Sequence, residues 1–223
     1  MSDREALAPH PNNRLIPSRF PPVGLFDSVA TAADLEAVME LAGWTNDRLV
    51  AERVARLPRA EWVYGRANSS IVMAAFLHVA PTGMRFNGPE LGAWYAAAEL
   101  PTAVAEVAHH LRREAVARRL PGMRRTYRNY GARLQGRFLD IRGRQDEMAD
   151  VYAPDGYAAS QALGESVRAG DAAGIVYDSV RHAGGVNVVA FRPSRIGDVV
   201  QGGHFEIGVT SAGRRIEVKR LGQ

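Results

Sequence analysis

The spacing of apolar residues changes several times along the chain, and each spacing predicts a different kind of element. Between residues 101 and 115 the apolar positions recur every three or four residues, which places them on one side of a helix. Pro101 opens this segment, and proline is favoured in the first helical turn. Glu106 lies off the apolar stripe, in the second turn. The stripe itself consists of Val104, Ala108, Leu111 and Ala115.

Further helices are predicted at residues 32–42, 47–57 and 157–168, where apolar residues again recur at helical spacing. Thr31 and Asp34 resemble a capping arrangement immediately before the first of these segments.

Residues 71–77 form a continuous apolar run that fits a buried helix or a buried strand, since periodicity alone does not separate the two. Ser69 and Ser70 precede the run, and serine is a common N-cap residue. The two serines therefore favour a helix.

Alternation of apolar and polar residues, or short apolar runs between turn residues, predicts strands at several places. They are residues 84–88, 91–97, 126–141, 174–178 and 186–191, and a C-terminal hairpin that turns at residues 211–213. Strands followed closely by other strands, with helices between the groups, predict an α+β fold in which helices surround a mainly antiparallel β core.

The N-terminal part of the chain has a different composition. Residues 1–24 contain five prolines and little periodicity, so we expect an extended arm that lies over the surface or is partly disordered. Residues 25–223 are predicted to form a single domain, and the chemically informative motifs occupy residues 62–193.

Composition limits the possible classes of protein. With 223 residues, 46% of them hydrophobic, the chain can bury a full core. No apolar run is long enough for a membrane span, and the N-terminus lacks the apolar core of a signal peptide. The absence of cysteine excludes disulfides and thiol catalysis and fits a cytoplasmic protein.

The formal charge of +4 is small, but two groups of arginines hold much of the positive charge, at residues 112–119 and 124–128. A solvated surface is the favoured interpretation. A nucleic-acid surface, or a site for an anionic ligand or an acidic protein, stays open, although DNA-binding proteins usually show a docking motif as well.

No metal site is predicted, because no acidic or histidine pair has a familiar metal-ligand spacing. His109 and His110 are adjacent on the predicted helix, so their side chains point about 100° apart and do not readily share one ion. Packing or surface roles are favoured for both.

Three side chains on neighbouring predicted elements supply a cation, an aromatic face and a carboxylate: Arg85, Tyr95 and Glu106. Their spacing allows them to meet in one cleft. Ser179 ends another predicted strand and is a fourth candidate. The structural alternatives are an ordinary salt bridge for the arginine, a core position for the tyrosine, a solvated carboxylate for the glutamate and a bond to its own backbone for the serine.

Several short motifs, taken in order, resemble the RES domain, which is named for an arginine, a glutamate and a serine. The motifs read Arg85-Phe86, Gly92-Ala93-Trp94-Tyr95-Ala96-Ala97, Thr102-Ala103-Val104-Ala105-Glu106, Val176-Tyr177-Asp178-Ser179-Val180-Arg181 and Gly184-Gly185-Val186-Asn187-Val188-Val189. RES domains are the toxins of Xre–RES toxin–antitoxin pairs, with a fold related to ADP-ribosyltransferases and an activity that consumes NAD.

The resemblance implies that NAD is a substrate, with no other cofactor, and that its nicotinamide–ribose bond is cleaved. Glu106 would stabilise the positive charge that develops on the ribose carbon. Arg85 would act beside it in catalysis and bind the pyrophosphate, and Tyr95 would stack on a ring of NAD with its hydroxyl free to bond the ligand. Further contacts to phosphate or ribose are expected from Ser179, Arg181 and Asn187. Tyr64 and Arg66 are weaker candidates for the same pocket.

The acceptor of the ADP-ribosyl group stays open between inorganic phosphate and water, that is, between an NAD phosphorylase and an NAD glycohydrolase. The alternatives are transfer to a protein, or a non-catalytic or nucleic-acid-binding module of the same fold. A Rossmann dehydrogenase is disfavoured because no Gly-x-Gly-x-x-Gly sequence joins a strand to a helix.

The resemblance also implies an Xre-type helix-turn-helix antitoxin that plugs the cleft, and a homodimer within a larger toxin–antitoxin complex. The toxin itself is expected to bind neither membrane nor nucleic acid.

Overall fold

The computed structural model describes residues 4–19 and 55–222 and, between these ranges, residues 24, 26–31, 33, 34, 37 and 53. The helices predicted at residues 32–42 and 47–57 lie mostly outside the described residues.

Within this part of the chain, the structure has three α-helices and two β-sheets. The helices are α1 (Ser69–Leu77), α2 (Leu100–Ala117) and α3 (Ala158–Ala169). The strands are β1 (Glu5–Ala6), β2 (Arg14–Pro17), β3 (Trp94–Ala97), β4 (Gly122–Leu134), β5 (Phe138–Asp140), β6 (Gly174–Asp178), β7 (Val186–Ala190), β8 (Ile196–Thr210) and β9 (Ile216–Leu221).

One sheet has five strands in the order β1-β5-β6-β7-β3, and the other has four in the order β2-β4-β8-β9. Only β5 and β6 run parallel; every other pair within the two sheets is antiparallel. The predicted α+β class with a mainly antiparallel core is therefore confirmed.

The N-terminal arm contributes an edge strand to each sheet. β1 pairs with β5, and β2 pairs with β4. Between the two strands, Asn13 exchanges backbone hydrogen bonds of 2.8 and 2.9 Å with Ala97 at the end of β3, so the arm also links the sheets. The backbone is extended there, as expected, but it forms part of the sheets and does not merely lie over them. The domain boundary at residue 24 stays a prediction.

Helix α2 buries the apolar stripe that its sequence predicts. Val104, Ala108, Leu111 and Ala115 are all buried, and the first three pack with aromatic and aliphatic side chains of β4 and β8. Proline occupies the first turn of the helix, as expected. Because one side of α2 faces the four-stranded sheet, the side that carries Glu106 is left towards the five-stranded sheet.

The apolar run at residues 71–77 is helical, as predicted, but the serines do not cap it. The carboxylate of Asp27 accepts the backbone N–H groups of Asn68 and Ser70 at 2.8 and 2.7 Å. The Ser69 hydroxyl bonds the carbonyl of Arg66 instead. A carboxylate more than forty residues away therefore accepts the backbone N–H groups at the start of α1. The local sequence does not reveal this contact.

The prediction of a strand at residues 84–88 is wrong, because these residues form a tight turn. The N–H of Met84 donates to the carbonyl of Asn87 at 2.9 Å, and Arg85 and Phe86 occupy the turn between them. The segment predicted at residues 126–141 is two strands, β4 and β5, separated at Gly136, whose φ of +105° suits glycine. The predicted helix at residues 157–168, the strands at residues 174–178 and 186–191 and the C-terminal hairpin are confirmed.

In the described ranges, no helix combines the length and the apolar character needed to cross a membrane.

Candidate active site

A cleft of about 270 Å³ is enclosed by the Arg85 turn, β3, α2, β7 and the beginning of β2. Its lining includes Arg85, Tyr95, Glu106 and Asn187, which the sequence places on four different elements. The volume lies just below the range of about 300–1,000 Å³ that is usual for ligand sites. The cation, the aromatic ring and the carboxylate therefore share one concave surface.

The carboxylate of Glu106 is held by two hydrogen bonds to one of its oxygens. Oε1 accepts the hydroxyl of Ser179 at 2.8 Å and the side-chain amide of Asn187 at 2.7 Å. Ser179 directly follows β6, and Asn187 belongs to β7, which pairs with β6 so that Tyr177 lies opposite Asn187. Oε2 has no hydrogen-bond partner in the described part of the protein, so it is available to a ligand in the cleft.

Ser179 acts on the site through Glu106, since it is not among the residues that line the cleft. Its Oγ also accepts the backbone N–H groups of Arg181 and His182, both at 3.1 Å. The hydroxyl thus orders its own turn and directs its proton to the carboxylate. The bond to the local backbone that was the structural alternative for this serine is therefore present. Its expected contact to a phosphate or ribose oxygen of a ligand stays a prediction.

Arg85 is 8% exposed, and its guanidinium is held by backbone and aromatic contacts. Nη1 donates to the carbonyls of Val151 and Ala153 at 3.1 and 3.0 Å, and Cζ lies 4.7 Å from the centroid of the Tyr157 ring. Among the described residues it forms no ion pair with a carboxylate. The arrangement therefore differs from an ordinary salt bridge and leaves a cation in the cleft wall.

The hydroxyl of Tyr95 is not free to bond a ligand, contrary to the expectation from sequence. It accepts the backbone N–H of Phe86 at 2.9 Å and donates to Oδ1 of Asn87 at 2.8 Å. Burial raises the pKa of Tyr95 well above its ordinary value, so the hydroxyl keeps its proton. The tyrosine lends its ring to the cleft, and its hydroxyl fixes the turn that carries Arg85.

Arg181 does not line the cleft, although Asn187 does. Its guanidinium donates to the carbonyl of Pro154 in the loop that precedes α3. Tyr64 and Arg66 are also absent from the lining, and Arg66 donates to the carbonyl of Ile196 at 2.8 Å. These three side chains are therefore outside the cleft as the structure has it.

His110 lines the cleft one helical turn after Glu106, which the assignment to packing or surface did not anticipate. Burial lowers the pKa of His110, and the nearby Glu106 partly opposes this shift. Burial also lowers the pKa of His109, to about 4, so this ring is neutral at physiological pH. In the described ranges, no group of three or more histidine, aspartate or glutamate side chains is arranged to hold a metal ion.

The lining residues that sequence reasoning missed include Arg14, Tyr157 and Tyr177. Tyr177 stands within one of the motifs and packs edge-on against Phe86, with ring centroids 4.7 Å apart. Arg14 comes from the proline-rich arm, whose lack of periodicity gave no signal that it reaches the cleft.

The clustered arginines are largely engaged with the protein itself. Their partners are Glu114 for Arg118 and Arg125, Glu206 and Glu217 for Arg124, and the carbonyls of Thr210 and Arg215 for Arg112. Such pairing supports the interpretation of these clusters as ordinary surface, because a nucleic-acid interface needs cations that are available to phosphates.

The cleft as a whole combines a fixed carboxylate with guanidinium groups and tyrosine rings. This combination suits a ligand that has an electron-poor centre, a flat ring and an anionic group. A family model described as the RES domain matches residues 53–210. The chain belongs to the RES domain family.

Two known proteins illustrate the likeness. Uncharacterized protein y4oC of Sinorhizobium fredii is 28% identical over 206 residues, which cover 86% of this chain and 80% of that protein. A chain of the M. tuberculosis MbcT–MbcA toxin–antitoxin complex is 18% identical, with a TM-score of 0.41, over 59% of this chain and 74% of its own. The matched range includes Arg85, Glu106 and Ser179. These residues are of the three types for which the RES domain is named.

Proposed function

We propose that this RES-domain protein is a toxin that degrades NAD by cleaving the bond between nicotinamide and ribose. The observation that supports this activity most directly is the carboxylate of Glu106, which Ser179 and Asn187 hold by one oxygen at the wall of a cleft. The other carboxylate oxygen is available to a sugar.

The chemistry needs such a group. Nicotinamide is bonded to ribose as a pyridinium, so it departs as a neutral base and requires no general acid. Positive charge then builds on the ribose carbon, as in glycoside hydrolysis. A carboxylate fixed beside that carbon stabilises the transition state more than the ground state, and this difference is what accelerates the reaction.

The other residues of the cleft would position the dinucleotide. Arg85 offers a guanidinium in the cleft wall for a phosphate oxygen, and the rings of Tyr95, Tyr157 and Tyr177 offer flat apolar surface for nicotinamide. Asn187 would act through Glu106. Ser179 would also act through Glu106. We do not assign Arg181 a contact to the substrate, because the Arg181 side chain donates to the carbonyl of Pro154.

The remaining elements of the proposal follow from membership of the RES family. The acceptor of the ADP-ribosyl group is inorganic phosphate or water, and the toxin acts on cytoplasmic NAD. An antitoxin of the Xre helix-turn-helix type covers the cleft, and the toxin is a homodimer in the complex with it.

The test is to incubate the purified protein with NAD, with and without inorganic phosphate, and to identify the products by mass spectrometry. A phosphorylase should release nicotinamide and ADP-ribose 1″-phosphate only when phosphate is present. A glycohydrolase should release nicotinamide and ADP-ribose under both conditions. Label from adenine-labelled NAD that stays on protein would indicate a protein ADP-ribosyltransferase instead. NAD that stays intact under all conditions would contradict the proposal.

A further inference from the structure

Arg14 reaches the cleft from outside the region that matches the RES family. It begins β2, and its side chain is part of the cleft lining. Nη1 donates to the backbone carbonyl of Tyr95 at 2.9 Å, and Cζ lies 4.7 Å from the centroid of the Trp94 ring. The family match starts at residue 53, so neither this arginine nor its strand belongs to it.

The backbone that carries Arg14 is held between the two sheets. The preceding residue, Asn13, is bonded to Ala97 through its backbone, and its Oδ1 accepts the side-chain amide of Asn129 at 2.8 Å. On the other side, Arg14 lies opposite Tyr130 in the pairing of β2 with β4. The backbone that carries the guanidinium is therefore fixed on both sides, which limits the entropy lost when the side chain binds a ligand.

The charge of Arg14 is uncompensated. In the part of the chain that the structure describes, no carboxylate pairs with it, and its Nε is buried without a hydrogen-bond partner. Burial lowers the pKa of Arg14 to about 10, so the group stays cationic at neutral pH in a setting that disfavours charge. A buried donor without a partner is costly, and such groups in native structures call for an explanation.

We propose that Arg14 binds a phosphoryl oxygen of a ligand in the cleft. Two sources carry this chemistry: the pyrophosphate of NAD and free inorganic phosphate as the acceptor. The inference rests on the proposed function for the identity of the ligand. It assigns to the N-terminal arm a direct part in substrate binding, beside the Arg85 turn on another wall of the same cleft.

The chemistry of the Arg14 guanidinium fits a phosphate. Guanidinium is planar and presents parallel donors, which match two oxygens of a phosphate. Nη1 retains a second proton after its bond to Tyr95, and Nη2 has no hydrogen-bond partner among the described residues.

The experiment compares three proteins in steady-state assays of nicotinamide release: wild type, Arg14→Gln and Arg14→Lys. Arg133→Gln is the matched control, since that arginine is exposed on β4 and pairs with the exposed Asp198. NAD is varied in one arm, at saturating phosphate if the protein requires phosphate as the acceptor, and phosphate is varied at saturating NAD in the other. Thermal unfolding establishes that each variant is folded.

If Arg14 binds the pyrophosphate, Arg14→Gln raises the KM for NAD about 10- to 100-fold, the range expected for loss of a charge-assisted hydrogen bond. The KM for nicotinamide riboside, which has no phosphate, then stays unchanged. If Arg14 binds the acceptor, the KM for phosphate rises by a similar factor and that for NAD does not. In either case we expect a smaller rise in KM for Arg14→Lys than for Arg14→Gln, and no rise for Arg133→Gln. Unchanged KM values for both NAD and phosphate in folded Arg14→Gln would overturn the inference.

Should Arg14→Gln not fold, Arg14→Lys carries the test alone, because it keeps the charge but loses the paired donors. An unaltered KM for both ligands would again overturn the inference. Calorimetric titration with ADP-ribose and with inorganic phosphate separates this inference from the proposed function, since it requires no turnover. The wild type could be inactive and still bind ADP-ribose or phosphate at least tenfold more tightly than Arg14→Gln does. That result would overturn only the proposed activity. Equal binding, or none, would overturn the assignment of Arg14.

Discussion

Glu106 and Ser179 are separated by 73 residues in the sequence, yet their side chains form a hydrogen bond of 2.8 Å. The bond joins helix α2 to the end of β6, and Asn187 on β7 donates to the same carboxylate oxygen at 2.7 Å. The carboxylate is thereby held in one orientation before any ligand arrives. Preorganisation of this kind is what makes a charged group effective in a transition state.

Replacement of Glu106 by glutamine should leave the fold intact, because the amide oxygen can still accept the bonds from Ser179 and Asn187. The negative charge is lost, and we expect nicotinamide release to fall about 10²–10³-fold in kcat. Release is measured by chromatography at saturating NAD. Glu99→Gln, an exposed carboxylate just before α2, is the control and should behave as wild type. Equal turnover by Glu106→Gln and wild type would remove the carboxylate from the mechanism.

Ser179→Ala removes a donor to Glu106 and the acceptor of two backbone N–H groups. We expect kcat to fall about tenfold, which corresponds to about 1.4 kcal/mol and to one hydrogen bond to a charged group. Because the serine acts through Glu106, its effect should largely disappear when both positions are changed together. The kinetic double-mutant cycle with Glu106→Gln measures this. Fully additive losses would indicate that Ser179 contacts the substrate itself.

Tyr95→Phe keeps the ring in the cleft and removes the hydroxyl that bridges Phe86 and Asn87. An unpaired backbone N–H is then left beside Arg85, so we expect a loss of about 1–3 kcal/mol in the free energy of unfolding. The looser turn should also raise the KM for NAD. Chemical denaturation and steady-state kinetics give the two quantities. Tyr64→Phe, outside the cleft, should alter neither, and an unchanged stability of Tyr95→Phe would show that its hydroxyl does not hold the turn.

Gly164 lies where α3 passes the Arg85 turn, and a Cβ there would stand 1.9 Å from the carbonyl oxygen of Phe86. Alanine normally stabilises a helix interior by about 1 kcal/mol relative to glycine. Here we expect Gly164→Ala to destabilise the protein by about 1–3 kcal/mol or more, since the turn or the helix must shift.

A matched control is Gly88→Ala, whose added Cβ would meet nothing within 4 Å. Its free energy of unfolding should stay within about 0.5 kcal/mol of wild type. Denaturant titration of both variants provides the comparison. If Gly164→Ala were as stable as Gly88→Ala, the close approach of α3 to the turn would be refuted.

Asp140, at the end of β5, should make the fold sensitive to acid. The hydrogen-bonded guanidinium of Arg142 holds the pKa of this buried carboxyl below its ordinary value of 3.8, and Arg4 adds to the effect. A depressed folded-state pKa contributes stability that is fully present well above pH 3.8 and is lost as the pH falls through the lower, folded-state value.

Asp140→Asn should therefore lower the free energy of unfolding by about 1–3 kcal/mol at pH 7 and flatten its decline below pH 4. Unfolding curves at pH 7 and at acid pH measure both effects. Asp198→Asn, which disrupts only an exposed pair with Arg133, should change little. If the free energy of unfolding fell equally with acid in wild type and Asp140→Asn, Asp140 would not be the source of the acid sensitivity.

The sequence by itself determined the elements whose pattern is local. The stripe of α2 and the alternation in the β8–β9 hairpin follow directly from 3.6- and 2-residue periods, and both are seen. The order of the short motifs was enough to indicate the RES family, and the matched range of residues 53–210 agrees. Such patterns are readable because neighbouring residues on one element share one environment.

Only the tertiary structure decided how side chains from distant elements satisfy one another. The use of the Tyr95 hydroxyl to hold the Arg85 turn and the presence of Arg14 in the cleft have no local signature. Each depends on hydrogen bonds between residues that are far apart in the chain or belong to different elements, and a buried polar group takes whichever partner the fold brings near. The types of residue and their order along the chain indicated cleavage of NAD as the chemistry. The geometry that would perform this reaction depends on packing between the sheets, α2 and the Arg85 turn.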